Sequence, residues 1–457
     1  MGKITPLVTA LLTSVVTMAQ EPETPKLITL TDEEQVLVKS NNGFAFNLFQ
    51  QANSGDDLIL SPLSITFALG MQNNGATGQT QQEINQVLGF GNATDGAPLT
   101  SEQGADALNA YCYKLLNGLR QADEHTKLLI GNTIFVNEGL GYYLQDGFVQ
   151  KVNDYYEAQP QGRDFADGET RDAINQWGSD HTNGMIKEVL TKDEFTPLAA
   201  NYLLNAIYFK GGWVNKFDKR ETRDEAFNGG DKIPMMHQHE EFSYEENDLY
   251  QAVTLPYGND AFRMTVFLPR EGKTINDVLN KMSGSNWQMK GGSYMVDLKL
   301  PSFETETNQN LVKIMSDLGM PSAFDRSKAE FPYICNYPLY IAMMKQVAKI
   351  KVDEEGTEAA AITVIDNETT GIPQYEYATF YANRPFLYVI SEKSTSAILF
   401  IGQYMGNTAT AIRDTSRETA KATATESPVY DLQGRQKKSR PLPSGLYISN
   451  GRKIVVY

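Results

Sequence analysis

Asp353-Glu354-Glu355-Gly356-Thr357-Glu358-Ala359-Ala360-Ala361-Ile362-Thr363 suits two conformations, and the fold turns on which it adopts. Its charges, glycine and small residues fit an exposed loop. As a strand, its side chains would alternate between two faces. Thr357, Ala359, Ala361, Thr363 and Ile365 would share one face, and Glu358, Ala360, Ile362, Val364 and Asp366 the other. The first face begins small, so the segment could slide between existing strands without overpacking them. No proline between Pro338 and Pro373 would leave a ladder position without its donor. The same spacing fits an alanine-rich surface helix, and the residues alone leave both open.

Outward from this run, helical periodicity starts near Glu34 and carries Val36, Leu37, Phe44, Phe46, Leu48 and Phe49. Residues 58–63 read as a short strand ended by Pro62, and residues 64–71 as a helix. Further strands are expected at 127–136, 196–210, 242–257, 262–268, 295–303, 347–352, 385–390 and 397–402. Helices are expected from Leu144, at 170–178, at 276–282 and at 311–319, the last capped by Gly319. Helices come early and long strands late, without sustained strand–helix alternation. That pattern favours a mixed α+β fold over a doubly wound sheet.

The 457 residues are 41% hydrophobic, with 23 Tyr and 21 Phe, ample for a large core. A formal charge of −16 argues against nucleic acid and anionic membrane as general partners, because phosphates demand a basic surface. Residues 1–19 read as a signal peptide, with Lys3, an apolar stretch from Leu7 to Met18, and cleavage after Ala19. That run is too short and interrupted to span a membrane, and no other segment qualifies. Cys112 and Cys335 are the only cysteines; Cys112 sits in a helical pattern that favours burial, and spacing does not show whether they pair. His237 and His239 alternate as on a strand without a third ligand nearby, and Asp353-Glu354-Glu355 reads as a solvated run. No metal or cofactor is expected.

No catalytic constellation stands out either. Gly139-Leu140-Gly141 and Gly211-Gly212 lack the rest of a phosphate or dinucleotide fingerprint, and no serine lies in a Gly-x-Ser-x-Gly elbow. The chain is not expected to be an enzyme.

Several separated motifs occur in a telling order. First come Leu58-Ile59-Leu60-Ser61-Pro62-Leu63-Ser64-Ile65 and Asn205-Ala206-Ile207-Tyr208-Phe209-Lys210-Gly211-Gly212-Trp213. Val253-Thr254-Leu255-Pro256-Tyr257 and Leu300-Pro301-Ser302-Phe303 follow, then Lys351 to Ala361 and Phe380-Tyr381-Ala382-Asn383-Arg384-Pro385-Phe386. Together they resemble the serpin family over roughly residues 34–406. The resemblance implies three β-sheets, eight or nine helices and an exposed reactive centre loop, here about 356–379. It also implies a suicide-substrate inhibitor, monomeric before it traps a target serine or cysteine protease. The cut loop would enter the main sheet as a new strand, driven by free energy stored in a metastable fold. The alternative within the family is a non-inhibitory member whose loop is only a protease substrate.

Glu354, Glu355, Gly356, Thr357, Glu358, Ala359, Ala360 and Ala361 match the hinge of inhibitory members; Ile362 departs from the usual small residue. Ser61, Ser64 and Asn205 match the region where the main sheet parts, and Trp213 the aromatic beneath the point of first insertion. Gln346 stands where many members carry a histidine, so it can donate and accept but not titrate. Counted from Glu354, the family's usual reach ends at a Thr370–Gly371 reactive bond, with Tyr375 or Tyr377 as alternates if the register shifts. Thr370 is small and uncharged, which suits an elastase-like or subtilisin-like pocket. No Lys or Arg lies between Gly356 and Asn383 to attract a trypsin-like enzyme.

Residues 20–33 form a lead-in rich in Pro, Glu and Thr, and residues 407–427 a linker of Thr, Ala, Ser and charged residues. Residues 428–457 read as a small β segment, with Asn450-Gly451 as a hairpin signal. Its Val429-Tyr430-Asp431-Leu432-Gln433-Gly434-Arg435 and Gly445-Leu446-Tyr447-Ile448 runs resemble the sorting region of proteins that the Bacteroidetes export across the outer membrane. Leader and tail together imply a bacterial protein that is secreted or attached to the cell surface.

Overall fold

Thr31 and Glu34 cap each other's backbone and so start the first helix, α1 (Asp32–Ala52). The computed structural model describes residues 24–93, 95–357 and 376–406, together with four strands between 429 and 456. The leader, the linker, Glu358 to Ala361, Thr370, Gly371 and Tyr375 lie outside the described residues. Contacts divide the chain into two compact units, residues 1–410 and 411–457.

After α1, the short β1 (Leu58–Leu60) gives way to α2 (Pro62–Asn73), with Pro62 in the first turn where its missing N–H costs nothing. All of α2 is buried. α3 (Gly78–Leu88) stops at Gly89, whose φ of +91° favours glycine. α4 (Ser101–Gln121), β2 (Lys127–Asn137), α5 (Asp146–Tyr156), β3 (Gln161–Arg163) and α6 (Thr170–His181) follow. Next come β4 (Asn201–Gly212), β5 (Arg223–Ala226), β6 (Lys232–Glu246), β7 (Tyr250–Tyr257) and β8 (Phe262–Pro269). α7 (Ile275–Leu279), β9 (Gly292–Pro301), β10 (Phe303–Asn310) and α8 (Val312–Leu318) lead to the last group of this unit. These are β11 (Met344–Asp353), β12 (Gly356–Thr357), β13 (Glu376–Tyr381), β14 (Phe386–Glu392) and β15 (Ile398–Tyr404).

The expected α+β class holds, with eight α-helices among the described residues. One sheet has six strands in the order β10-β11-β12-β4-β2-β3. The other runs β1-β15-β14-β8-β7-β6-β9-β13, with β5 added beside β6. Two of the three expected sheets are thus continuous, because β6 pairs along β9 and, from Ser243, also with β7.

The main core lies on the face of β4 that carries Leu203, Ile207 and Phe209. Tyr202, Leu204 and Ala206 face a smaller core with Phe135, Val347 and α6 residues Ile174 and Trp177. Burial on both faces explains why β4 reads as a long, largely apolar run broken by Asn205. It starts at Asn201 rather than residue 196, because Thr196 closes a turn onto Ala199. β10 was not anticipated: it buries Phe303, Thr305 and Thr307 while Glu304 and Glu306 stay exposed, an alternation with little apolar content.

Cys112 and Cys335 are both buried and unpaired. No helix among the described residues is long and apolar enough to cross a membrane. The second unit holds β16 (Val429–Asp431), β17 (Gln436–Lys437), β18 (Gly445–Ser449) and β19 (Arg452–Val456), in the order β17-β16-β18-β19. Ser449 pairs with Arg452, the register expected of a hairpin closed at Asn450-Gly451, two residues that themselves lie outside the description.

Candidate functional site

At the head of the six-stranded sheet, β11 ends at Asp353, turns through Glu354 and Glu355, and returns as β12. β12 pairs with β11 through Val352↔Thr357 and Asp353↔Gly356, and with β4 through Gly356↔Gly212 and Thr357↔Gly211. Lower down, β11 and β4 pair directly and in parallel, from Met344↔Leu203 to Val347↔Ala206. Between those levels, no described strand separates residues 348–351 from residues 207–210. The sheet is open at its head and closed at its middle, with two hinge residues already seated in the opening.

Close packing dictates the hinge residue by residue. Gly356 has φ +146°, and a Cβ there would sit 2.2 Å from the Gly211 carbonyl oxygen. Gly356→Ala is therefore expected to push β12 out of the sheet, so that limited proteolysis cuts between residues 354 and 357, where the parent chain resists.

The turn before it is tied down by the backbone amides of Trp213 and Phe217, which donate to Glu355 O (2.9 Å) and Glu354 O (3.0 Å). The Trp213 indole donates to Asp353 O at 2.9 Å and stacks on Tyr257, ring centroids 4.3 Å apart. Thr357 is 2% exposed, and its hydroxyl lies 2.7 Å from the Tyr257 hydroxyl. The Glu354 carboxylate accepts from Thr222 Oγ1 at 2.7 Å.

Glu355 is clamped by Lys216 at 2.9 Å and Lys219 at 3.2 Å. Hydrogen bonds from Lys216 and then Lys219 hold its carboxyl below the ordinary value of 4.5. A lowered folded pKa means that the clamp acts at neutral pH and is lost as pH falls through that folded value. The Trp213 indole N–H resonance should therefore hold its position on acidification and shift only below pH 4.5. Lys216→Gln should move that shift to higher pH.

At the middle of the sheet, Gln346 faces Asn205 in the direct β11–β4 pairing. Its Oε1 accepts from Ser61 N at 3.0 Å, while Nε2 donates to Ser61 O at 3.0 Å and Asn205 Oδ1 at 3.2 Å. Asn205 donates onward to Ser64 O (2.9 Å) and Asn132 Oδ1 (2.8 Å), and Ser61 Oγ to Leu399 O (2.7 Å). The Ser64 hydroxyl is buried without a hydrogen-bond partner.

Ser61, Ser64, Asn205 and Gln346 are thus one network, whereas Trp213 sits apart at the head with Glu354 to Thr357. Tyr377 lies on β13 opposite Met295 of the parallel β9 and is 72% exposed. Tyr257, Lys216, Lys219, Thr222 and Asn132 were not anticipated as site residues. Only Tyr257 carried a signal, as the end of one motif; the others arrive through tertiary contact.

The family model described as Serpin (serine protease inhibitor) matches residues 39–406. Antithrombin-III of Mus musculus is 31% identical over 385 residues, covering 80% of this chain and 81% of its own. Among solved structures, the thermophilic serpin Tengpin in the native state superposes with a TM-score of 0.72 at 28% identity, covering 84% of this chain and 96% of that one. Thyroxine-binding globulin in complex with thyroxine gives 0.70 at 26% identity, covering 80% and 98%. A family match over 368 of the 457 residues, with relatives covered over four-fifths of their length, places the chain in the serpin family.

Proposed function

We propose that the chain is an irreversible suicide-substrate inhibitor of serine or cysteine endopeptidases, rather than an enzyme itself. The observation that carries this reading is the seated hinge: Thr357 fills the core-facing side of β12 above an opening that further loop residues can occupy. The target's nucleophile would attack the carbonyl of the reactive bond, forming an acyl-enzyme and releasing the amine of the next residue. Continuing the β12 register sets Glu358 opposite Lys210, Ala359 opposite Phe209, Ala360 opposite Tyr208 and Ala361 opposite Ile207. Ile362 and Thr363 then meet Ala206 and Asn205, where Gln346 must release its bond to Asn205.

Alanines suit the narrow opening, and each new ladder bond contributes about 0.5–1.5 kcal/mol. The Ile362 position is less foreign than it looked. Its neighbours there, Ala206 and Val347, belong to the smaller core under α6, so its side chain would meet apolar groups.

The reactive bond is assigned to Thr370–Gly371, with an elastase-like or subtilisin-like target. Tyr375 remains an alternate. Tyr377 is a poor one, because its backbone is held in the β13–β9 ladder and a protease cleft must engulf an extended, free segment. The proposed setting is the outside of a bacterial cell, reached through the leader and the Bacteroidetes-like tail. The inhibitor is read as a monomer until it traps a protease.

The test is incubation with elastase, subtilisin, chymotrypsin, papain and trypsin, followed by denaturing gels and mass measurement of the released C-terminal fragment. A complex that survives denaturation, with a fragment beginning at Gly371, is the expected result. Clean cleavage by every protease without complex would leave the non-inhibitory reading.

A further inference from the structure

Away from the hinge, a cavity of about 400 Å³ opens where the end of β8, the start of β14 and the end of β15 meet the loop before α7. In a chain of net charge −16, its lining gathers three cations, Arg270, Lys273 and Arg384, against one carboxylate, Glu271. Arg270 is paired with Glu246 at 3.0 Å. Arg384 is different: its guanidinium donates to Pro269 O (2.9 Å) and Asn383 Oδ1 (3.3 Å) and, among the described residues, to no carboxylate. Burial holds this guanidinium below its ordinary value, with Arg270 adding to the effect and Glu271 opposing it. An anion held against the guanidinium would offset that cost of burial.

A second observation is independent of charge. Gln403 also lines the cavity and is 1% exposed. Its Nε2 donates to Asn53 Oδ1 (2.8 Å) and Asp56 O (2.6 Å), which fixes the amide orientation. The other end, Oε1, is buried and has no hydrogen-bond partner. A buried acceptor left open is costly, and a ligand hydroxyl or amine would satisfy it. Pro385 and Met405 supply apolar lining.

We propose that this cavity binds a small organic acid: an oxyanion held by Arg384, Lys273 and Arg270, and a hydroxyl or amine beside it that donates to Gln403 Oε1. Guanidinium groups match carboxylate and phosphate oxygens in pairs, which makes Arg384 the principal anchor. The site stands whether or not the chain inhibits proteases. Occupancy would tie β8, β14 and β15 together and raise the thermal midpoint by mass action.

Calorimetric titration of the full chain with 3-phenyllactate, 3-phenylpropionate and inorganic phosphate tests the proposal. Phenyllactate should bind one to one. Phenylpropionate, which lacks only the hydroxyl, should bind about fivefold or more weakly. Arg384→Gln and Lys273→Glu should each weaken phenyllactate binding about tenfold or more, while Lys313→Glu on α8 leaves it unchanged. Lys273 is exposed on its loop, so its variant decides the matter should Arg384→Gln fail to fold. Phosphate alone binding as tightly as phenyllactate, or equal affinity for the two acids, would remove the role of Gln403. No heat from any probe at about 20 mM, a level far above useful affinity, or affinities indifferent to both variants, would overturn the site.

Discussion

On the proposed mechanism, Thr357→Arg is expected to turn an inhibitor into a substrate. The wild-type side chain is 2% exposed, bonded to the Tyr257 hydroxyl beside the stacked Trp213 ring. A guanidinium in that place would be buried without a carboxylate partner, costing several kcal/mol. β12 would leave its seat, and the loop would lose the nucleus from which insertion proceeds. Covalent complex should fall about tenfold or more relative to cleaved chain, while the rate of cleavage at the reactive bond stays similar. Thr357→Ser, which keeps the hydroxyl, should retain complex formation. An undiminished complex yield in Thr357→Arg would refute the inward role of this position.

Gln346→Leu is the second large effect. The amide is fully buried and makes three hydrogen bonds, so its removal leaves Ser61 N, Ser61 O and Asn205 Oδ1 short of a partner. Each buried group left unsatisfied costs about 1–3 kcal/mol, partly offset by the added apolar packing. A net loss of about 2–4 kcal/mol is expected, read as a lower denaturant midpoint with an unchanged slope. The uncleaved chain should also convert more readily when cut, because the lock at the middle of the sheet has been weakened. A midpoint equal to wild type would show that this network does not hold the sheet closed.

The parts of the fold that rest on local pattern were readable in the sequence. β4 announced itself because both of its faces are buried, and α1 because its apolar residues recur at helical spacing. The small alternating residues of the hinge suited a strand and a surface helix alike, and the sheet decides for the strand at Gly356 and Thr357. β10 was hidden, since Thr and Glu alternate there without an apolar signature. The joining of two sheets through β6 was hidden too, because β6 pairs not only with the next strand, β7, but also with β9, beyond β8 and α7. The clamp on Glu355 and the Tyr257 contact share this cause: Lys216 and Tyr257 reach the hinge across 139 and 100 residues, a closeness that only the folded sheet creates. Glu358 to Ala361, Thr370, Gly371 and Tyr375 lie outside the described residues, and their roles rest on the family resemblance.

Loop insertion after cleavage is tested most directly by comparing thermal unfolding of the intact chain with that of the chain cut at its reactive loop. Joining the open strands β11 and β4 by a new central strand should raise the midpoint by on the order of 20 °C, from about a dozen added ladder bonds. A cut chain that unfolds at the same temperature as the intact one would contradict it, because the loop would then have been severed without becoming a strand.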